Sequence, residues 1–148
     1  MESTSAKKPA VTRFNVAMWA YALSFGLYAV TRGGASLPGF ECASLALMML
    51  VNPIVNSNFF EPKPAVYIPI WMIGWINIAF LASLAMRWWE GDRRPFKILR
   101  IITLLLIPSS WIVLYHEHAY PREGHVLWVA AMVLALFSRP EPSGDETA

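Results

Sequence analysis

The charged residues of this chain stand at its two ends and in short breaks, and between them run five apolar stretches. None shows the strict two-fold alternation of a half-buried strand, and each is too continuous to offer the polar face of a soluble amphipathic helix. Such stretches read as helices in lipid, where a crossing takes about 20 residues at about 1.5 Å per residue. The first covers residues 14–30 and runs into Thr31, Arg32, Gly33 and Gly34, which read as a helix end and a turn. The second, 40–55, has an uninterrupted apolar centre at 42–51, worth about half a bilayer, bracketed by Glu41 and Asn52. The third, 65–86, is a full span with Trp71 and Trp75 near one end. The fourth, 98–115, contains Pro108, which removes one backbone bond and predicts a kink, with Ser109 and Ser110 at hand for freed carbonyls. The fifth, 125–138, is short and must borrow flanking residues or thin the bilayer locally.

The expected fold is therefore all-α: an integral membrane bundle of four to five hydrophobic helices forming one domain over residues 14–138. Residues 1–13 form a polar N-terminal tail. The stretch 139–148 is Pro-rich and acidic, too polar to order itself, and reads as a disordered tail. Composition agrees with lipid: of 148 residues 56% are hydrophobic and only 15% charged, well on the apolar side of soluble globular chains. The net charge of +2 and the absence of an arginine stripe with interleaved aromatics exclude a nucleic-acid-binding surface. Cys42 is the single cysteine, so no intramolecular disulfide forms, and its apolar neighbours make it an inert thiol. The run after the basic N-terminus lacks a small-x-small cleavage site, so the first segment is expected to be retained.

Charge placement bears on topology, because cytoplasmic loops are enriched in Lys and Arg. One basic cluster is Lys7, Lys8 and Arg13; the other is Arg87, Arg93, Arg94, Lys97 and Arg100. Five crossings put the two clusters on opposite faces. If the second segment dips in and returns, both are cytoplasmic and only Arg32, Lys63 and Arg122 stay outside. The short apolar centre and the Asn52, Pro53 exit fit such a re-entrant element, which lipid tolerates when other helices shield its backbone. Both arrangements place loop 87–100 in the cytoplasm and 116–125 outside, and both remain open at the level of sequence.

Polar groups that could carry chemistry are few. His116, His118 and His125, the only histidines, stand with Glu117 and Glu123 in one stretch and offer donors suited to Zn²⁺ or Cu²⁺. Their spacing matches no standard zinc signature, and an interfacial loop accounts for them equally. Glu41 is the one acid inside an apolar segment, a position that suggests proton or ion handling, helix capping or snorkelling. Asn77 in mid-segment seeks a partner across a helix interface. Asn52, Asn56 and Asn58 form a polar cuff after the second segment, and Arg87, Arg93, Arg94, Lys97 and Arg100 suit anionic lipid headgroups. No nucleophile elbow, HExxH, CxxC, phosphate-binding loop or dinucleotide fingerprint is present, so no catalytic residue is assigned.

The Leu37, Pro38, Gly39, Phe40 entry and the Asn52, Pro53 exit of the second segment resemble a pattern in small polytopic bacterial inner-membrane proteins. The resemblance spans a short stretch and implies a bacterial inner membrane, with no activity attached. The expectation is a non-catalytic accessory subunit that contacts lipid and other membrane subunits or itself, without a cofactor. Two alternatives stand beside it: a metal- or cofactor-binding membrane protein using the histidine loop, and a small oligomeric transporter or channel involving Glu41.

Overall fold

The computed structural model describes residues 13–55, 64–90 and 94–138. Lys7, Lys8, Asn56, Asn58, Lys63, Arg93 and both tails, apart from Arg13, lie outside the described residues. Within them the order is α1 (Arg13–Ser24), β1 (Tyr28–Arg32), β2 (Ala35–Pro38), α2 (Gly39–Val55), α3 (Pro64–Glu90), α4 (Arg94–His116), β3 (Tyr120–Pro121) and α5 (Glu123–Phe137). The chain is mostly helical, and two helical stretches, Tyr67–Arg87 and Arg94–His116, are long and apolar enough to cross a membrane. Gly39–Val55 and Glu123–Phe137 are shorter apolar helices.

The first apolar stretch departs from expectation. Its helix ends at Ser24, and residues 28–32 are a strand, so the fold is not all-α but carries a three-stranded antiparallel sheet in the order β2-β1-β3. The reason is local. Tyr28, Val30 and Thr31 favour extended backbone, and Gly33 (φ 57°) and Gly34 (φ 87°) supply the two positive φ values of a tight hairpin turn. The register follows as Arg32↔Ala35, Thr31↔Ser36 and Val30↔Leu37, with an irregularity between Tyr28 and Val30. On its other side β1 takes β3 through Val30↔Pro121 and Thr31↔Tyr120. Pro121 lies on an edge strand, where a missing N–H is tolerated.

Helix ends are tied into this sheet. The backbone N–H of Gly39 donates to Leu27 O at 2.8 Å and that of Phe40 to Phe25 O at 2.9 Å, so the first orphan donors of α2 find carbonyls in the α1–β1 connection. Arg122 N–H donates to Ala29 O at 2.8 Å, which fastens the start of α5 to β1. Helix α4 closes with His118 in the left-handed region (φ 49°). Ala119 N–H returns to Leu114 O and His118 N–H to Tyr115 O, the paired bonds of a Schellman ending.

The core gathers Ala17 and Tyr21 from α1, Ile76 and Phe80 from α3, Ile107 from α4, and Ala131, Met132, Ala135 and Leu136 from α5. Small residues dominate the close approaches: Ala17, Ala135, Ser83 and Thr103 are fully buried. Gly74 sits where a Cβ would come within 2.6 Å of Ala46 O and 2.5 Å of the Leu50 side chain, so α2 crosses α3 on it. Large apolar side chains point outward instead, among them Trp19, Met48, Ile54, Leu81, Leu105 and Phe137. Pro108 is accommodated inside α4. The neighbouring Ser109 and Ser110 donate to Leu106 O and Ile107 O, not to Leu104 O, the carbonyl that the proline leaves without its N–H.

Arginine marks the end opposite the sheet. Arg87, near the close of α3, donates to Ala135 O at 3.0 Å and to Ser138 O, satisfying carbonyls at the end of α5 with a cation where the helix dipole favours one. Its guanidinium lies 5.2 Å from the Phe96 ring centroid and 5.9 Å from that of Phe14. The start of α1, the end of α3, the start of α4 and the end of α5 thus meet at one end. Helix α2 begins at the sheet end, and α3 itself runs to the arginine end.

Candidate functional site

Asn77 is where three helices are joined. Its Oδ1 accepts from Tyr21 Oη of α1 at 2.9 Å and from Trp128 Nε1 of α5 at 3.1 Å. An indole N–H only donates, so the Trp128 contact fixes which end of the amide is oxygen. The Nδ2 amide donors therefore face away from both partners. No buried side-chain polar atom among the described residues lacks a partner, so Nδ2, which makes no hydrogen bond to a described residue, is not buried. Asn77 also lines a cavity.

That cavity measures about 390 Å³ and lies between α2, the first half of α3, the second half of α4, the start of α5 and the sheet. Its walls are mainly apolar, with Met49, Ile70, Ile73 and Leu114 in the lining beside Asn77 and Trp128. The polar contributions are few and mostly engaged. Ser24 and Ser110 donate to carbonyls of their own helices, Tyr21 O and Ile107 O. Arg32 pairs with Glu117 at 2.9 Å, which cancels the two charges of the lining. His125 is buried, flanked by Trp111 and Trp128 with ring centroids 5.2 and 5.5 Å away, and its Nε2 is 3.5 Å from Ser110 Oγ.

The residues singled out in the sequence are dispersed. His116 and His118 are exposed around the end of α4, whereas His125 turns inward, and no group of three metal-type donors assembles among the described residues. His118 has a structural role as the left-handed residue that ends α4. Glu41 is exposed in the first turn of α2, the position where an acid complements the helix dipole. Asn52 is half-buried, and its Nδ2 lies 3.8 Å from Met49 Sδ. Of the basic residues, Arg94 and Lys97 are exposed, while Arg87 and Arg100 are half-buried and engage aromatic rings, Arg100 lying 5.6 Å from Phe96 and 5.2 Å from Phe137.

Sequence reasoning missed Tyr21, Trp128 and Ser110 as partners of the interior polar groups, since nothing local links them to Asn77 or His125. The Arg32–Glu117 pair was equally hidden, joining a hairpin to a helix end. Comparison of the chain with protein families, with curated proteins and with solved structures finds no match.

Proposed function

We propose that the chain is a polytopic protein of the bacterial inner membrane, acting as a non-catalytic subunit that packs against lipid and partner helices. The observation that carries this is the apolar exterior: large apolar residues cover the outside of all five helices, while alanine, serine, threonine and glycine stand at buried helix contacts beside Ile76, Phe80, Met132 and Leu136. A soluble protein with that much contiguous apolar surface would aggregate. The interior hydroxyls of Ser24, Ser83 and Thr103 go to carbonyls of their own helices, which supports a packing role over a reactive one.

In this reading α3 and α4 cross the bilayer, α1 and α5 lie along them, and the sheet stands outside the hydrocarbon because lipid does not accept an open sheet edge. The start of α1 and the loop 87–100 share a face, so both basic clusters are cytoplasmic and α2 is the non-traversing element that the charge rule calls for. The test is cysteine labelling in a Cys42→Ser background, with single cysteines at positions 13, 33 and 94. Positions 13 and 94 should be protected from an impermeant reagent outside intact cells while 33 reacts. Reaction of 13 or 94 from the outside refutes the arrangement. For the subunit role, extraction in mild detergent should yield a stoichiometric membrane partner, and a lone monomer from native membranes refutes it.

A further inference from the structure

The cavity combines three properties that together specify a ligand. Its volume of about 390 Å³ lies within the range of about 300–1,000 Å³ typical of small-molecule sites. Its wall is largely apolar, so what it holds must be mostly apolar too. Its two charged side chains, Arg32 and Glu117, are paired with each other at 2.9 Å, leaving no counter-ion for a phosphate, carboxylate or ammonium group. Against this background the Asn77 amide presents two N–H donors whose direction is fixed by Tyr21 and Trp128 holding its oxygen. A rigid, oriented donor in a largely apolar wall recognises an uncharged acceptor.

We propose that this cavity binds the uncharged head of a membrane lipid through a carbonyl oxygen that accepts from Asn77 Nδ2, with the adjoining ring or chain lying against Met49, Ile70, Ile73 and Leu114. The proposal rests on the membrane reading above, since the bilayer is the source of such a molecule. Two kinds of head supply the chemistry, a quinone ring and a carboxylic ester, and both are small enough to enter. A lipid with a charged headgroup is disfavoured because its charge would replace bulk solvation with no partner.

The experiment uses the full chain in dodecyl maltoside micelles, titrated separately with decylubiquinone and with methyl oleate by isothermal calorimetry. Saturable one-to-one binding of either supports the site, and the arm that binds names the source. Ala43→Phe, which adds a ring to the cavity wall, should weaken binding by roughly tenfold or more, and Asn77→Leu, which removes the donor, by about fivefold to tenfold. Ala43→Phe leaves the Tyr21–Asn77–Trp128 bonds untouched, so it stays informative if Asn77→Leu fails to fold. Failure of both probes to bind the wild type overturns the proposal, as does wild-type affinity in a folded Ala43→Phe. Carbonate extraction of the expressing membranes separates the two readings: a chain that stays in the pellet yet binds neither probe refutes the cavity ligand alone, while one washed off refutes the membrane assignment.

Discussion

Asn77→Leu is the substitution whose cost follows most directly from the structure. Leucine is close in size, so the change removes chemistry more than volume. Two donors lose their acceptor at once: Tyr21 Oη at 2.9 Å and Trp128 Nε1 at 3.1 Å. A hydrogen bond contributes about 0.5–1.5 kcal/mol net, and a donor left unsatisfied out of water costs about 1–3 kcal/mol. In lipid the measured couplings average about 0.6 kcal/mol with a maximum near 1.7, because the unfolded reference also finds partners. Taking the lower values for both donors, about 0.6 to 1 kcal/mol each, gives a loss of about 1–2 kcal/mol for Asn77→Leu. Tyr21→Phe alone should cost less, about 1 kcal/mol, since Oδ1 keeps Trp128. The double variant separates the shared bond from everything else: Tyr21→Phe should cost almost nothing once residue 77 is leucine, giving a coupling of about 0.6–1.7 kcal/mol. The assay is reversible unfolding by sodium dodecyl sulfate in mixed micelles, followed by far-ultraviolet circular dichroism. Additivity of the two substitutions within about 0.3 kcal/mol refutes the junction.

Further outcomes are expected in the same assay. His118→Gly should stabilise the protein by about 0.5–1 kcal/mol, because the left-handed backbone at the end of α4 strains any residue with a Cβ; destabilisation would give the imidazole a role the Schellman ending does not explain. Gly74→Leu should cost at least about 1–3 kcal/mol by overpacking against Leu50 and the backbone of Ala46, and a neutral result refutes the α2–α3 contact. Glu117→Gln should change stability by less than about 0.5 kcal/mol, because the Arg32–Glu117 pair is largely exposed; a larger loss would mean it is shielded from solvent.

The helices of the second half were legible from apolar periodicity alone. The stretches 65–86, 98–115 and 125–138 sit inside or within a residue of α3, α4 and α5, because long apolar runs have one satisfactory backbone conformation in lipid. Residues 14–30 were misread for a physical reason. Tyr28, Ala29 and Val30 are as apolar as the helix before them, and a run of hydropathy does not distinguish a short strand from a continued helix. The turn at Gly33-Gly34 is legible in the sequence; that it joins two strands and does not follow a helix end is what a two-residue hairpin signature adds. Strand β3 is only Tyr120–Pro121 and owes its existence to β1, so no local pattern announces it. Asn77 was recognisable as a group needing a partner, but the partners are set by packing: Tyr21 and Trp128 are distant in sequence and look like ordinary membrane aromatics. The cavity is legible from no segment, because α2, α3, α4, α5 and the sheet each supply only part of its wall.

The central strand also dictates an order of assembly. Strand β1 lies near the start of the chain, yet its second edge is filled only by Tyr120 and Pro121, and the Ala29 carbonyl waits for the Arg122 N–H. Such distant pairing is slow to form compared with neighbouring contacts. A chain that has formed α1 through α4 therefore still presents an open strand edge and a Tyr21–Asn77 junction without Trp128, and both are completed by α5. The last helix acts as the latch of the bundle, and a chain truncated before residue 120 should be handled by the cell as unfinished.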